Sequence, residues 1–246
     1  MTDKYNSFIQ SKNGQLLRAA FAEFLGTGLL VIFACGACVT ASSTLTIAVG
    51  FGLTLMCLAV SFGHISGCHV NPAVTVGLLV DGKVDIVNAI TYLIGQFVGA
   101  VVGAAVLKGI LPEATSKISL CECGLNGVDP FQAIIIEAVI TFVFVLVIVN
   151  VVESNPTLAP LVIGLALTTG HLLAVPLTGA SMNTARAFGP ALIRNKWDAH
   201  YVYWVGPLIG GTLAGAVHRF ILMDTSVPNR KSLGKPKGDT QEATNV

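Results

Sequence analysis

The chain has 246 residues; 53% are hydrophobic, only 11% are charged, and the mean hydropathy is +0.76. Soluble domains carry about 25% charged residues, so a water-soluble fold of this length could not hide so much apolar surface, and the composition selects a membrane protein. The net charge is +1, with no long basic or acidic block outside the ends, which leaves no basis for nucleic-acid binding.

A spanning helix needs roughly 20 apolar residues. Six candidate spans follow one another at 17–38, 45–63, 85–108, 131–152, 158–176 and 200–222. The first follows Lys4, Lys12 and Arg18 and is too long for a cleavable signal. Between the second and third spans lies a shorter apolar stretch, 71–80, beginning at Asn71; between the fifth and sixth lies another, 183–193, beginning at Asn183. At 1.5 Å per residue each would reach ~15 Å, half a bilayer. The expected organisation is an N-terminal segment 1–16, a membrane domain 17–222 and a polar, basic, disordered tail 223–246. Ser232 in that tail follows two basic residues, a pattern accessible to kinases.

The order long, long, half, long occurs twice, over 17–108 and 131–222. "AEFLGTG" places Glu23 early in the first span and "IEAVITF" places Glu137 at the same point of the fourth. "GQFVGAVVG" in the third span matches "GPLIGGTLAG" in the sixth, so Gly95, Gly99 and Gly103 parallel Gly206, Gly210 and Gly215. Small residues at four-residue spacing let membrane helices approach closely. Three full spans per repeat is odd, so the second repeat enters the bilayer from the opposite side. In such inverted repeats the site lies at the midplane, where broken helices meet. The fold class expected is an all-α membrane protein: six transmembrane helices plus two re-entrant half-helices in an inverted repeat. The distribution of Lys and Arg favours both termini in the cytoplasm, with Lys83 and Arg219 inside and Lys108, Lys117, Arg194 and Lys196 outside.

The two half-spans are introduced by related phrases, "SGCHVNPAVTVG" at 66–77 and "TGASMNTARAFGP" at 178–190. Asn is a preferred N-cap, its side-chain oxygen accepting from an orphan backbone N–H, and its NH₂ is then free to donate outward. Pro72 suits a first helical position. Two half-helices running outward from the midplane bring their N-termini face to face there, each with about half a positive charge. That point repels a cation and welcomes a water whose oxygen accepts from Asn71 and Asn183. The preceding stretches, Gly67, Cys68, His69 and Val70, and Gly179, Ala180, Ser181 and Met182, cannot turn their carbonyls to lipid. They are tolerable where they line an aqueous path.

These phrases, with "AEFLGTG" and the repeat, resemble the aquaporin (major intrinsic protein) family over nearly the whole chain, 17–222. The resemblance implies a bundle of six helices and two half-helices, a homotetramer with one pore per subunit, a plasma-membrane location and passive passage of water. It implies that Asn71, Pro72 and Ala73, and Asn183, Thr184 and Ala185, form the two midplane motifs. The family's second motif is usually Asn-Pro-Ala; Thr184 here restores an N–H and loosens φ, which leaves conduction intact and puts strict proton exclusion in question. By offset from the two Asn, the family's narrow filter falls on Phe51, His171, Ala180 and Arg186. Phe51 and His171 narrow the bore, Ala180 leaves its carbonyl accessible, and an Arg in a water-lined pore is a barrier to protons and cations. Glycerol-conducting relatives place a small residue where His171 stands and an Asp after the arginine, where this chain has Ala187.

The carbonyls of Gly67, Cys68, His69, Gly179, Ser181 and Met182 are expected to line the pore, and Glu23 and Glu137 to brace the broken backbone beside it. Cys68, three residues before Asn71, is the expected site of mercurial block. The alternatives are structural or different in class: Arg186 paired with a buried Glu, His171 packed in a core, Glu23 and Glu137 relaying protons, His64 or His69 sensing pH. Cys35, Cys38, Cys57 and Cys68 lie in apolar runs and read as small hydrophobes; Cys121 and Cys123, too close to pair easily with each other, read as surface packing in the loop 109–130. No metal site, cofactor or enzymatic nucleophile–base pair stands out. Competing functions are a channel for water plus glycerol, urea or peroxide, a proton-coupled transporter, and a structural membrane protein with a weak pore. A transporter would need a titratable group where the midplane has Asn.

Overall fold

The computed structural model describes residues 10–117 and 119–223. Lys4, the tail from Thr225 and Ser232 lie outside the described residues. Among the described residues all regular structure is helical. Helix α1 runs over Lys12–Thr40, with one π-helical turn at Val31–Cys35. It is followed by α2 (Thr44–Ser66), the half-helix α3 (Pro72–Asp81), α4 (Ile86–Ile110), the single turn α5 (Glu113–Ser116), α6 (Pro130–Ser154), α7 (Ala159–Thr178) and the half-helix α8 (Thr184–Arg194). Last is α9 (Val202–Val217), which passes into a π-helical turn at His218–Leu222. Six of these are long and apolar enough to cross a membrane. The ends lie within a few residues of the expected spans except at the start of α1, which begins at Lys12 because Ser11 caps it, accepting from Gly14 N–H at 3.1 Å.

Local chemistry sets the other boundaries. Asp129 caps α6 in a reciprocal capping box with Gln132. Asp85 accepts from the amides of Val87 and Asn88 at the head of α4. Both α2 and α7 end on a glycine in the left-handed region, Gly67 at φ 88° and Gly179 at φ 79°, where a Cβ would be strained.

The two repeats build the same sub-bundle twice. Helix α1 packs on α4 and α2, and α6 packs on α9 and α7 in the same way; α2 and α7 form the seam between the halves. Each half-helix then crosses over, α3 against α9 and α8 against α4. Glycines make this crossing possible: a Cβ on Gly77 of α3 would lie 2.7 Å from the Gly211 carbonyl oxygen of α9, and one on Gly189 would collide with Ala100 of α4. The faces left outside carry apolar side chains such as Phe21, Val60, Ile94, Val139 and Leu165, as a lipid-facing surface requires. The protein is a multi-pass membrane protein.

Candidate functional site: two half-helices and a narrow mouth

The polypeptide before each half-helix is shaped identically. Cys68 and Val70 in the first loop, and Ala180 and Met182 in the second, all adopt positive φ between 44° and 51°. For Val70, which is β-branched, this is a real strain. A buried carboxylate under each loop holds the conformation. Glu23 accepts from the amides of His69 (2.9 Å) and Val70 (2.6 Å), from Ser66 Oγ (2.6 Å) and from Gln96 Nε2 (2.8 Å). Glu137 accepts from the amides of Ser181 (2.9 Å) and Met182 (2.8 Å) and from Thr178 Oγ1 (2.7 Å). Both acids are fully buried, and these bonds compensate the desolvation. Gln96, Ser66 and Thr178 belong to this bracing although sequence reasoning did not select them; the last two stand immediately before Gly67 and Gly179, a placement that could have drawn attention to them. His69 braces the first loop through its amide, and its ring nitrogen Nδ1 lies 3.1 Å from Thr75 Oγ1.

Asn71 and Asn183 cap α3 and α8, but with different partners. Asn71 Oδ1 accepts from Ala73 N–H at 2.9 Å, whereas Asn183 Oδ1 accepts from Arg186 N–H at 3.1 Å. Their NH₂ groups are not wholly free. Asn71 Nδ2 donates to the Met182 carbonyl and Asn183 Nδ2 to the Val70 carbonyl, each at 2.7 Å. One N–H of each amide therefore ties the two repeats together, which corrects the expectation of an unengaged amide; the second N–H has no such partner. The Met182 carbonyl, expected to face the path, is turned to Asn71 for the same reason.

Beyond Asn183 the site narrows. The rings of Phe51 and His171 stack at 4.2 Å, and Arg186 Cζ lies 5.1 Å from the Phe51 centroid. His171 Nδ1 contacts the Leu167 carbonyl at 3.0 Å, while its Nε2 has no partner. Ala180 is fully buried, in the left-handed region. Phe51, His171, Asn71, Asn183, Ser181 and Arg186 border one cavity, together with apolar residues such as Leu30 and Phe144. The structure thus brings together residues drawn from α2, α7 and both half-helix loops. Phe51, His171 and Arg186 are all buried, at 2%, 0% and 1% exposure. Cys68, at 8% exposure, belongs to the opposite loop.

Arg186 has no carboxylate within ion-pair distance among the described residues. Its Nη1 donates to Cys123 Sγ at 2.6 Å and its Nη2 to Cys121 Sγ at 3.0 Å, and its Nε is unpartnered. Cys121 is itself disulfide-bonded to Cys38 of α1. This corrects two expectations: Cys38 is not a lone apolar thiol, and Cys121 and Cys123 are not incidental surface residues. Cys123 is a free thiol, which burial pushes up to about 12, against the opposing pull of Arg186. Two pairs of closely spaced cysteines, 35/38 and 121/123, were the available signal for this cluster. Among the described residues no group of side chains is placed to hold a metal. His64 is exposed, on the last turn of α2.

The architecture is thus that of a membrane channel: six spanning helices, two half-helices meeting head to head, and a lined constriction. The profile of the family described as major intrinsic protein matches residues 10–218. The lens fiber major intrinsic protein of Lithobates pipiens is 44% identical over 213 residues, covering 83% of this chain and 81% of that protein. Aquaporin-1 of Homo sapiens is 40% identical over 225 residues, with 85% and 83% covered, and aquaporin-5 of Sus scrofa is 38% identical over 232 residues, with 90% and 87% covered. The X-ray structure of the aquaglyceroporin from Plasmodium falciparum superimposes with a TM-score of 0.78 at 23% identity, covering 85% of this chain and 97% of that one; at that identity the likeness speaks for the fold alone. The chain belongs to the major intrinsic protein (aquaporin) family. Members of this family are channels rather than enzymes, and this chain is a channel for water or small solutes.

Proposed function

We propose that the protein is a passive, water-selective channel, driven by osmotic gradients, that excludes protons and ions. The observation that carries this reading is the constriction itself: Phe51 and His171 stacked at 4.2 Å opposite an Arg186 that no carboxylate neutralises. An uncompensated guanidinium repels cations. A stacked aromatic pair leaves no width for a three-carbon polyol. At the midplane the two half-helix N-termini add their partial positive charges, and the remaining N–H of Asn71 and of Asn183 orients a water as acceptor. Thr184 has no part in this donation, so its replacement of proline leaves water passage in place. Glu23 and Glu137 act as buried braces. We place both termini in the cytoplasm of a plasma-membrane homotetramer, in keeping with the Lys and Arg distribution and with the aquaporin relatives.

The test is stopped-flow light scattering on proteoliposomes of the purified chain. A gradient of impermeant sugar should give fast shrinkage with low activation energy, and a glycerol gradient no reswelling beyond that of empty liposomes. Fast glycerol reswelling would replace the water-selective reading with the channel for water plus small neutral solutes. Water flux no greater than that of empty liposomes would favour a structural role.

A further inference from the structure

The segment that crosses the Arg186 mouth is fastened from four sides. Cys121 is bonded to Cys38 on α1. Glu122 Oε1 accepts from Arg194 Nε at 3.0 Å, at the end of α8. Asn126 donates to the Pro176 and Leu177 carbonyls of α7 at 3.0 and 2.9 Å. The fourth fastening is Arg186, which donates to the sulfurs of Cys121 and Cys123. Sulfur is a weak acceptor, so the guanidinium is held by the position of these two atoms more than by the strength of the bonds. The disulfide is the only covalent one of the four fastenings, and it fixes one of the two sulfurs.

We propose that the Cys38–Cys121 disulfide is a positioning element for Arg186, so that its reduction loosens the constriction and relaxes the discrimination between water and small neutral solutes. This rests on the reading of Arg186 as part of the selectivity filter. The chemistry needs an external two-electron reductant, a phosphine or a dithiol. A phosphine attacks one sulfur and breaks the S–S bond; water supplies the oxygen of the phosphine oxide and the two protons of the new thiols. Cys121 then moves with the loop. Arg186 loses a fixed acceptor at Nη2, and its guanidinium swings between the remaining partner and the bore. Neither Glu122 nor Asn126 compensates, because they anchor the loop to α8 and α7 and leave its Cys121 end free of α1.

The experiment uses the full chain in proteoliposomes, with the ratio of glycerol to water permeability as readout, before and after a water-soluble phosphine is supplied at both faces. Maleimide mass tagging of the denatured protein verifies reduction: four of the six cysteines are free before it, and all six should be afterwards. The ratio should rise on the order of tenfold, the discrimination that about one methylene of pocket space is worth. The double variant Cys38→Ala/Cys121→Ala should show the raised ratio without reductant and should not respond to it. An unchanged wild-type ratio with six thiols counted overturns the proposal, and so does an equal response in the double variant. If the double variant fails to fold, the wild-type arm alone decides. Absence of water flux in the oxidised wild type would instead sink the water-channel reading on which the proposal stands, so the two failures are distinguishable.

Discussion

His171 and Cys68 occupy opposite ends of the path, and each makes a separate claim. The imidazole of His171 is fully buried, fixed by the Leu167 carbonyl at one nitrogen and by the Phe51 ring on its face. Replacing it with glycine removes the ring that fills the width opposite Arg186. His171→Gly should therefore keep water flux and raise glycerol permeability on the order of tenfold or more, read by reswelling in a glycerol gradient; unchanged glycerol exclusion would place the constriction elsewhere. Cys68 is a free, nearly buried thiol in the first half-helix loop. If mercury blocks flux there, Cys68→Ser should be insensitive. Persistence of the block would move the site to Cys123, the free thiol beside Arg186. Glu23 and Glu137 have their oxygens engaged by donors from the loops they support, which leaves little of either carboxylate to relay protons.

The two half-helices differ at their heads, with Pro72 at the start of α3 and Thr184 at the start of α8. Asn183 sits at φ −151°, ψ 107°, the extended conformation that a following proline requires. The N–H that proline lacks is an orphan at a first helical position, and Asn183 caps Arg186 rather than Thr184. Thr184→Pro should consequently stabilise by ~0.4–1 kcal/mol through the unfolded chain, seen as a higher unfolding temperature in detergent, with water permeability unchanged; lower stability would mean that Thr184 makes an interaction a proline cannot keep. The elements themselves were legible because bilayer thickness imposes a length on apolar runs and because Asn before a short run is a capping signal. The grouping of Phe51, His171 and Arg186 around one cavity was legible only through the repeat and the family offset. What escaped notice was pairing across distance. Cys38 and Cys121 are 83 residues apart, and the Asn amides find their carbonyls in the other repeat. Periodicity reports which face of a helix is buried, not which distant atom it meets.

Across the whole molecule, a second polar cluster ties three helix ends together on the side away from Arg186. His218 Nδ1 lies 2.7 Å from Asp81 Oδ1 at the end of α3, and its Nε2 lies 3.3 Å from Glu153 Oε2 at the end of α6. Lys83 completes the set, pairing with Glu153 and lying 3.6 Å from Asp81. Asp81 and His218 are both buried, and leaving a buried hydrogen-bonding group without its partner costs ~1–3 kcal/mol. His218→Ala should lower the unfolding temperature markedly, by thermal unfolding in detergent, and leave the glycerol-to-water ratio of the folded fraction unchanged because the cluster is remote from the constriction. A variant as stable as the wild type would show that the cluster contributes nothing net.

The reciprocal crossing of the two Asn side chains also bears on how the protein is made. Asn71 meets its acceptor on Met182, 111 residues further along the chain, and α3 packs against α9, the last of the described helices. At a synthesis rate of ~5–20 residues per second, roughly 6–22 s separate the two ends of that bond leaving the ribosome. Throughout that interval Asn71 lacks its Met182 acceptor and the glycine face of α3 lacks α9, so the first half-helix completes its packing only after the second repeat has been made.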